Sequence, residues 1–71
     1  MLKWESYCNG EIGKINGMIP AFYISRKTSG CWHIKNYLPG FPSDCGFKFS
    51  FENAQHEAKE ILDHWIYLSN L

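Results

Sequence analysis

Alternating apolar and polar residues predict a β-hairpin at the start of the chain. Residues 2–7 place Leu2 and Trp4 on one side and charged residues between them, a period of two that is typical of a half-buried strand. Two Asn-Gly dipeptides follow, at residues 9–10 and 16–17, on either side of a short mixed segment. Either dipeptide can form the tight turn while the other forms a bulge or a bend, and the sequence leaves both arrangements open.

The central part of the chain predicts a second hairpin. Residues 18–26 and 31–38 are rich in strand formers and are joined by four turn-forming residues, 27–30. Because Pro20 has no N–H to donate, we expect regular pairing to begin near Ala21. Alternation directs one set of side chains to the core, namely Phe22, Ile24, Trp32, Ile34 and Leu38, beside Asn36. The other set forms an uncovered face that comprises Ala21, Tyr23, Ser25, Cys31, His33, Lys35 and Tyr37.

The last third of the chain predicts an amphipathic helix. Residues 39–46 are dense in turn formers and indicate an exposed loop, and residues 47–49 indicate a short strand or an extended lead-in. Ser50 occupies an N-cap position, where its hydroxyl can accept the N–H of Asn53. Apolar residues then recur at helical spacing: Ala54, Ala58, Ile61, Leu62, Trp65 and Leu68 or Ser69.

Together these elements predict one α+β domain over residues 1–71. We expect an antiparallel sheet of three to four strands over residues 1–49, with a helix over residues 50–69 packed on one face of the sheet. A composition of 45% hydrophobic and 17% aromatic residues excludes a disordered chain. In a chain of 71 residues, aromatic burial has to supply much of the core.

Charge and cysteine content narrow the range of possible functions and compartments. Seven basic and seven acidic residues balance, but residues 1–48 carry a net charge of +3 and residues 49–71 a net charge of −3. The sheet is therefore basic and the helix acidic, and such a division can steer a partner to one face. Three cysteines are an odd number, which disfavours a disulfide framework. No stretch resembles a secretory leader or a membrane span, so we expect a cytoplasmic protein without membrane partners.

No residue pattern indicates a metal site or a catalytic site. Cys31 and His33 lack a second ligand pair, and the helix stripe of His56, Glu60 and His64 is typical of a solvated polar face. Cys31 with His33, or Asp44 with Cys45, could supply a nucleophile, but neither pair has a third group to orient it. We therefore predict no catalytic residues, no metal and no cofactor.

The arrangement of aromatic residues resembles that of small β-β-β-α proteins encoded by bacteriophages and prophages. The resemblance covers most of the chain and is carried by Trp4, by residues 22–24 followed by 30–32, and by the Phe-Lys-Phe-Ser-Phe-Glu-Asn-Ala run at 47–54 that leads into the helix. It implies a phage accessory protein. This group includes inhibitors of host defence, such as anti-CRISPR and anti-restriction proteins, which act by binding. No functional residue carries over from the resemblance.

The same order of elements is also similar to the three-stranded DNA-reading domains of the AP2 type and of tyrosine integrases. That similarity implies contacts to DNA from Arg26, Lys35 and Lys48. Such domains are usually strongly basic, so a net charge of zero argues against this function. The double-stranded-RNA-binding fold matches less well, because its initial helix is absent and Glu52 stands where that fold has a lysine cluster.

The sequence thus favours a non-enzymatic protein-binding module. The candidate partner-binding residues lie on the uncovered face and in the 39–46 loop: Tyr23, Arg26, His33, Lys35, Tyr37 and Phe41. A purely structural alternative is that Tyr23 and Tyr37 pair across the hairpin to stabilise it. Homodimerisation through the same face is another version of protein binding. The alternative function is nucleic-acid binding, with stacking on Tyr23, Tyr37 or His33 and phosphate contacts from Arg26, Lys27 and Lys35.

Overall fold

The computed structural model describes residues 2–69 and shows five strands followed by one helix. The elements are β1 (Leu2–Tyr7), β2 (Gly10–Ile15), β3 (Ile19–Arg26), β4 (Trp32–Asn36), β5 (Asp44–Lys48) and α1 (Phe51–Ser69). Every strand is antiparallel to its neighbours, and the order in the sheet is β1-β2-β3-β4-β5. The predicted α+β class and C-terminal helix are confirmed. The sheet has five strands, so the prediction of three to four was too low.

The fifth strand begins inside the segment that was predicted to be an exposed loop. Lys35 pairs with Asp44 and His33 pairs with Phe47, and the register shifts between these two pairs. Gly46 lies at the shift with a φ of 92°, a left-handed conformation that glycine adopts without a steric penalty. Turn-forming composition therefore concealed a short strand that contains a bulge.

The fourth strand ends at Asn36, two residues before its predicted end at Leu38. Asn36 is 3% exposed, and its side chain forms hydrogen bonds with the backbone of the segment that follows the strand. Its Nδ2 donates to the carbonyls of Leu38 at 3.1 Å and Pro42 at 3.3 Å, and its Oδ1 accepts the N–H of Leu38 at 2.9 Å. This buried amide holds the loop between β4 and β5 in place.

The β1–β2 and β2–β3 hairpins both have tight turns, and the second Asn-Gly dipeptide supplies the central residues of one of them. Asn16 and Gly17 have φ values of 54° and 75°, the two positive angles that a type I′ hairpin turn requires. The N–H of Met18 closes this turn by donating to the carbonyl of Ile15 at 3.0 Å. The first hairpin instead turns at residues 8 and 9, because Tyr7 pairs directly with Gly10.

A bulge in the middle of the sheet moves Ala21 to the side opposite the predicted one. Gly13 pairs with Phe22, but the next residue, Lys14, pairs with Pro20, so Ala21 has no partner in β2. Its side chain is fully buried in the core, and the prediction that it lies on the uncovered face is wrong. The physical reason is the extra residue, which interrupts the period of two.

The core lies between one face of the sheet and the helix. It contains Ala21, Phe22, Ile24, Ile34, Leu38, Ala54, Ala58 and Leu62. Of the five predicted core residues of the central hairpin, four are buried, whereas Trp32 is half-buried and packs against the cluster. On the predicted apolar face of the helix, Ile61 and Trp65 are likewise half-buried, and Leu68 is 47% exposed.

The helix is fixed at both ends by side-chain hydrogen bonds. At its start Ser50 Oγ accepts the N–H of Asn53 at 3.1 Å, which confirms the predicted N-cap. Near its end Trp65 Nε1 donates to the carbonyl of Pro39 at 3.1 Å and ties the helix to the β4–β5 loop. Within residues 2–69, no helix combines the length and the apolar character needed to cross a membrane.

Candidate functional site

The face of the sheet that the helix leaves uncovered carries a groove, called here the open-face groove. Cross-strand pairing aligns Tyr7, Gly10, Ser25 and His33 in one row and Tyr23 beside Lys35 in the next, so their side chains project on the same side. The groove encloses about 450 Å³. It is lined by Tyr7, Cys8, Tyr23, Ser25, Lys27, His33, Lys35, Tyr37, Ser43 and Asp44.

Aromatic side chains from separate strands converge on this groove. The rings of Tyr7 and Tyr23 meet edge to face, with centroids 6.0 Å apart and planes at 89°. Tyr7 is 55% exposed and Tyr37 is 47% exposed. Beside the groove, Phe47 is 55% exposed and its ring lies 4.9 Å from that of His33. The face therefore presents large apolar areas with hydroxyl groups at their tips.

A hydrogen bond to Asp44 fixes the position of His33 in the groove. His33 Nε2 lies 2.9 Å from Asp44 Oδ1, and the same oxygen accepts the N–H of Gly46 at 2.9 Å. The hydrogen bond from Gly46 and then that from His33 lower the pKa of Asp44 below its ordinary value. Asp44 therefore remains a carboxylate at neutral pH, and the groove contains a fixed negative charge.

Two lysines supply positive charge at the groove. Lys35 is exposed, and its Nζ lies 5.7 Å from the ring centroid of Tyr37, within the range of a cation–π contact. Lys27, in the β3–β4 loop, also lines the groove. Asp44 belongs to the same lining, so the groove carries both positive and negative charge. This pattern suits a partner surface that carries charges of both signs better than it suits a polyanion.

The structure brings together four of the six predicted site residues. Tyr23, His33, Lys35 and Tyr37 all line the open-face groove. Arg26, at the exposed end of β3, and Phe41, whose ring packs 5.9 Å from that of His64 on the helix, lie outside the lining. Phe41 is thus turned toward the helix rather than toward the uncovered face.

Sequence reasoning missed Tyr7 and Asp44 as members of the site. Alternation in the first strand already placed Tyr7 opposite Trp4, so knowledge of the strand order would have been enough to find it. Asp44 carried no comparable signal, because it was predicted to lie in a loop and its contact with His33 depends on the bulge in β5.

The three cysteines are free thiols. Cys8 belongs to the lining of the open-face groove, and Cys31 lies outside it. Burial, followed by the nearby Asp44 and Glu57 carboxylates, raises the pKa of the Cys45 thiol, which lowers its thiolate fraction. Among residues 2–69, no group of three or more histidine, cysteine or acidic residues is arranged to hold a metal ion.

Comparison with known proteins gives no match. No family model, no curated protein and no solved structure matches this chain.

Proposed function

We propose that the protein is a non-catalytic binding module that docks on another protein through the open-face groove. The observation that carries this proposal is the convergence of Tyr7, Tyr23 and Tyr37 on one uncovered surface. Tyrosine is enriched at protein interfaces because a rigid ring supplies a large contact area and a hydroxyl supplies a hydrogen bond. Tyr7 and Tyr37 are about half exposed, which leaves their rings available to a partner.

The charges of the groove favour a protein partner over a nucleic acid. Phosphate contacts supply much of the affinity of nucleic-acid-binding domains. Here the Asp44 carboxylate lies in the same lining as Lys27 and Lys35 and would repel a phosphate chain. Protein interfaces, by contrast, accommodate both signs when the charges are complementary.

The resemblance to phage accessory proteins supports a bacterial partner in the host cytoplasm. A binding module can inhibit a complex without catalysis by covering the surface through which the complex acts. The groove supports this mode of action because its tyrosine rings lie on an uncovered face that a partner can contact. We therefore include inhibition or modulation of a host protein complex in the proposal.

The test is a capture experiment from bacterial lysate with paired variants. Three baits are compared. The first is the wild-type chain, and the second is a groove variant with Tyr23→Ala and Lys35→Glu. The third is a control variant with Lys59→Glu and Tyr67→Ala on the exposed side of the helix. We expect one protein to be retained by the wild type and the control after nuclease treatment and to be lost with the groove variant. Circular dichroism confirms that all three baits are folded.

Two outcomes would contradict the proposal. Equal capture by the groove variant and the wild type would show that the open-face groove is not the binding surface. Capture that disappears after nuclease treatment, and that falls steeply as salt is raised, would instead support nucleic-acid binding, because released counterions make such binding strongly salt-dependent.

A further inference from the structure

We propose that the edge strand β1 pairs with β1 of a second copy of this chain, so that two five-stranded sheets join into one of ten strands. β1 is one of the two outer strands of the sheet, and no other segment within residues 2–69 pairs with its outer edge. The other outer strand, β5, is interrupted by a bulge. A regular, uncovered edge is a template for pairing with another strand. This proposal concerns a different surface from the open-face groove and does not depend on the proposed function.

The hairpin fixes which backbone groups of β1 are free. Tyr7 and Gly10 close a two-residue loop and therefore form a hydrogen-bonded pair. In an antiparallel ladder hydrogen-bonded and non-hydrogen-bonded pairs alternate, so the N–H and C=O groups of Leu2, Trp4 and Ser6 point away from β2. The pairing of β1 with β2 has no register shift, which leaves these free groups evenly spaced.

Charge selects one register for self-pairing. For the free groups to meet, even-numbered residues have to lie opposite even-numbered residues of the second copy. With Trp4 opposite Trp4, Lys3 lies opposite Glu5 of the second copy, and the two-fold axis repeats this pair. If the second strand is shifted by two residues in one direction, Lys3 lies opposite Lys3 of the second copy. If it is shifted by two residues in the other direction, Glu5 lies opposite Glu5 of the second copy. Opposite charges stabilise cross-strand pairs and like charges destabilise them.

Within one copy, Lys3 lacks the acidic neighbour that this register supplies. Lys3 lies directly opposite Lys14 in the β1–β2 ladder. Lys14 Nζ is paired with Glu5 Oε1 at 3.2 Å, and the ion pairs described for residues 2–69 do not include Lys3. Pairing with a second copy places a carboxylate opposite each Lys3 and thereby offsets the repulsion between Lys3 and Lys14.

The helix side of the same edge is suited to an apolar neighbour. A groove of about 400 Å³ lies between β1 and α1, and its apolar lining is Leu2, Trp4, Leu62 and Ile66. The two charged residues of its lining, Lys59 and Asp63, are paired with each other at 3.0 Å. His56 Nε2 lies 3.5 Å from Glu60 Oε2. A two-fold axis perpendicular to the sheet keeps both helices on one side, so the second copy's Trp4 comes beside this apolar lining.

Charge reversal tests this arrangement in the full chain. We expect the wild type to sediment as a concentration-dependent dimer. Lys3→Glu and Glu5→Lys should each weaken self-association by about tenfold or more, because both cross-strand pairs become like-charged. An equimolar mixture of the two variants should form a heterodimer, because the two acidic side chains of one strand then face the two lysines of the other. Lys35→Glu, on the open face, should leave the dimer unchanged.

Several outcomes would overturn the proposal. A wild type that remains monomeric at every concentration would do so, as would single variants that associate as strongly as the wild type. Failure of the two folded variants to associate on mixing would also exclude this register, with folding monitored by circular dichroism. A dimer that is lost with Lys35→Glu would place the interface on the open face instead.

Discussion

Asp44 shows how one exposed side chain can organise a site at the scale of a single residue. Its carboxylate is 71% exposed, yet it binds both the ring of His33 and the backbone of Gly46. The His33 side chain, by comparison, is only 18% exposed. The orientation of the histidine in the open-face groove therefore depends on an acid at the surface, and that acid has a lowered pKa.

This lowered pKa predicts a contribution of Asp44 to stability that acid removes. Where the pKa of a carboxyl group is lower in the folded than in the unfolded chain, the unfolded chain binds more protons as the pH falls, so acid favours unfolding. The contribution is complete above the ordinary pKa of 3.8 and is lost as the pH falls through the lowered value. We expect Asp44→Asn to lose less stability on acidification than the wild type, as measured by urea unfolding at a series of pH values.

The control for this prediction is Asp63→Asn, which changes the net charge equally but lies on the helix, paired with Lys59. It should not reproduce the effect of Asp44→Asn. If Asp44→Asn and the wild type lost stability in parallel, the hydrogen bonds to Asp44 would have no energetic role in the folded state.

At the scale of the element, the start of the helix depends on one hydroxyl. Ser50→Ala removes the acceptor for the N–H of Asn53 and should destabilise the fold by about 1 kcal/mol, a typical loss for an N-cap. Ser50→Asp retains an acceptor and should restore the stability. Thermal and urea unfolding of the three chains measures the difference, and an alanine variant as stable as the wild type would be inconsistent with an N-cap role.

Elements with an uninterrupted pattern of apolar and polar residues could be predicted from sequence. Features that depend on a bulge could not. Helical spacing and the Ser50 cap placed α1 correctly, and the central hairpin was found from its alternation. Ala21 was assigned to the wrong face because the register shift in β2–β3 arises from pairing between strands. β5 was missed in part for the same reason, since its bulge at Gly46 contains residues that favour turns.

The same distinction between regular alternation and features of the assembled sheet applies to the candidate site. Tyr23, His33, Lys35 and Tyr37 follow regular alternation, and the structure places all of them in one groove. The contributions of Tyr7 and Asp44 require the order of the strands and the register of β5, which are properties of the assembled sheet. Phe41 was predicted from loop composition alone, and its packing against His64 requires knowledge of where the helix lies.

At the scale of the whole molecule, the two layers approach closely because the helix presents small residues to the sheet. Ala54 and Ala58 are fully buried against the core. Ala58→Leu should therefore cost about 1–3 kcal/mol, since extra methylene groups in a packed core force side chains or backbone to shift. Urea unfolding measures this loss.

Glu60→Leu is the matched control for Ala58→Leu, because it introduces the same side chain two residues away at an exposed position. It should leave the free energy of unfolding nearly unchanged. Equal stability of both variants would mean that the helix does not rest on the sheet through Ala58.

The sequential strand order also has a consequence for how the chain folds. Each strand of the sheet pairs only with strands adjacent to it in sequence, so no long loop has to close before a pairing is gained. Hairpins of this kind form within about 1–10 μs in isolation. The sheet can therefore be built entirely from pairings between segments that are neighbours along the chain.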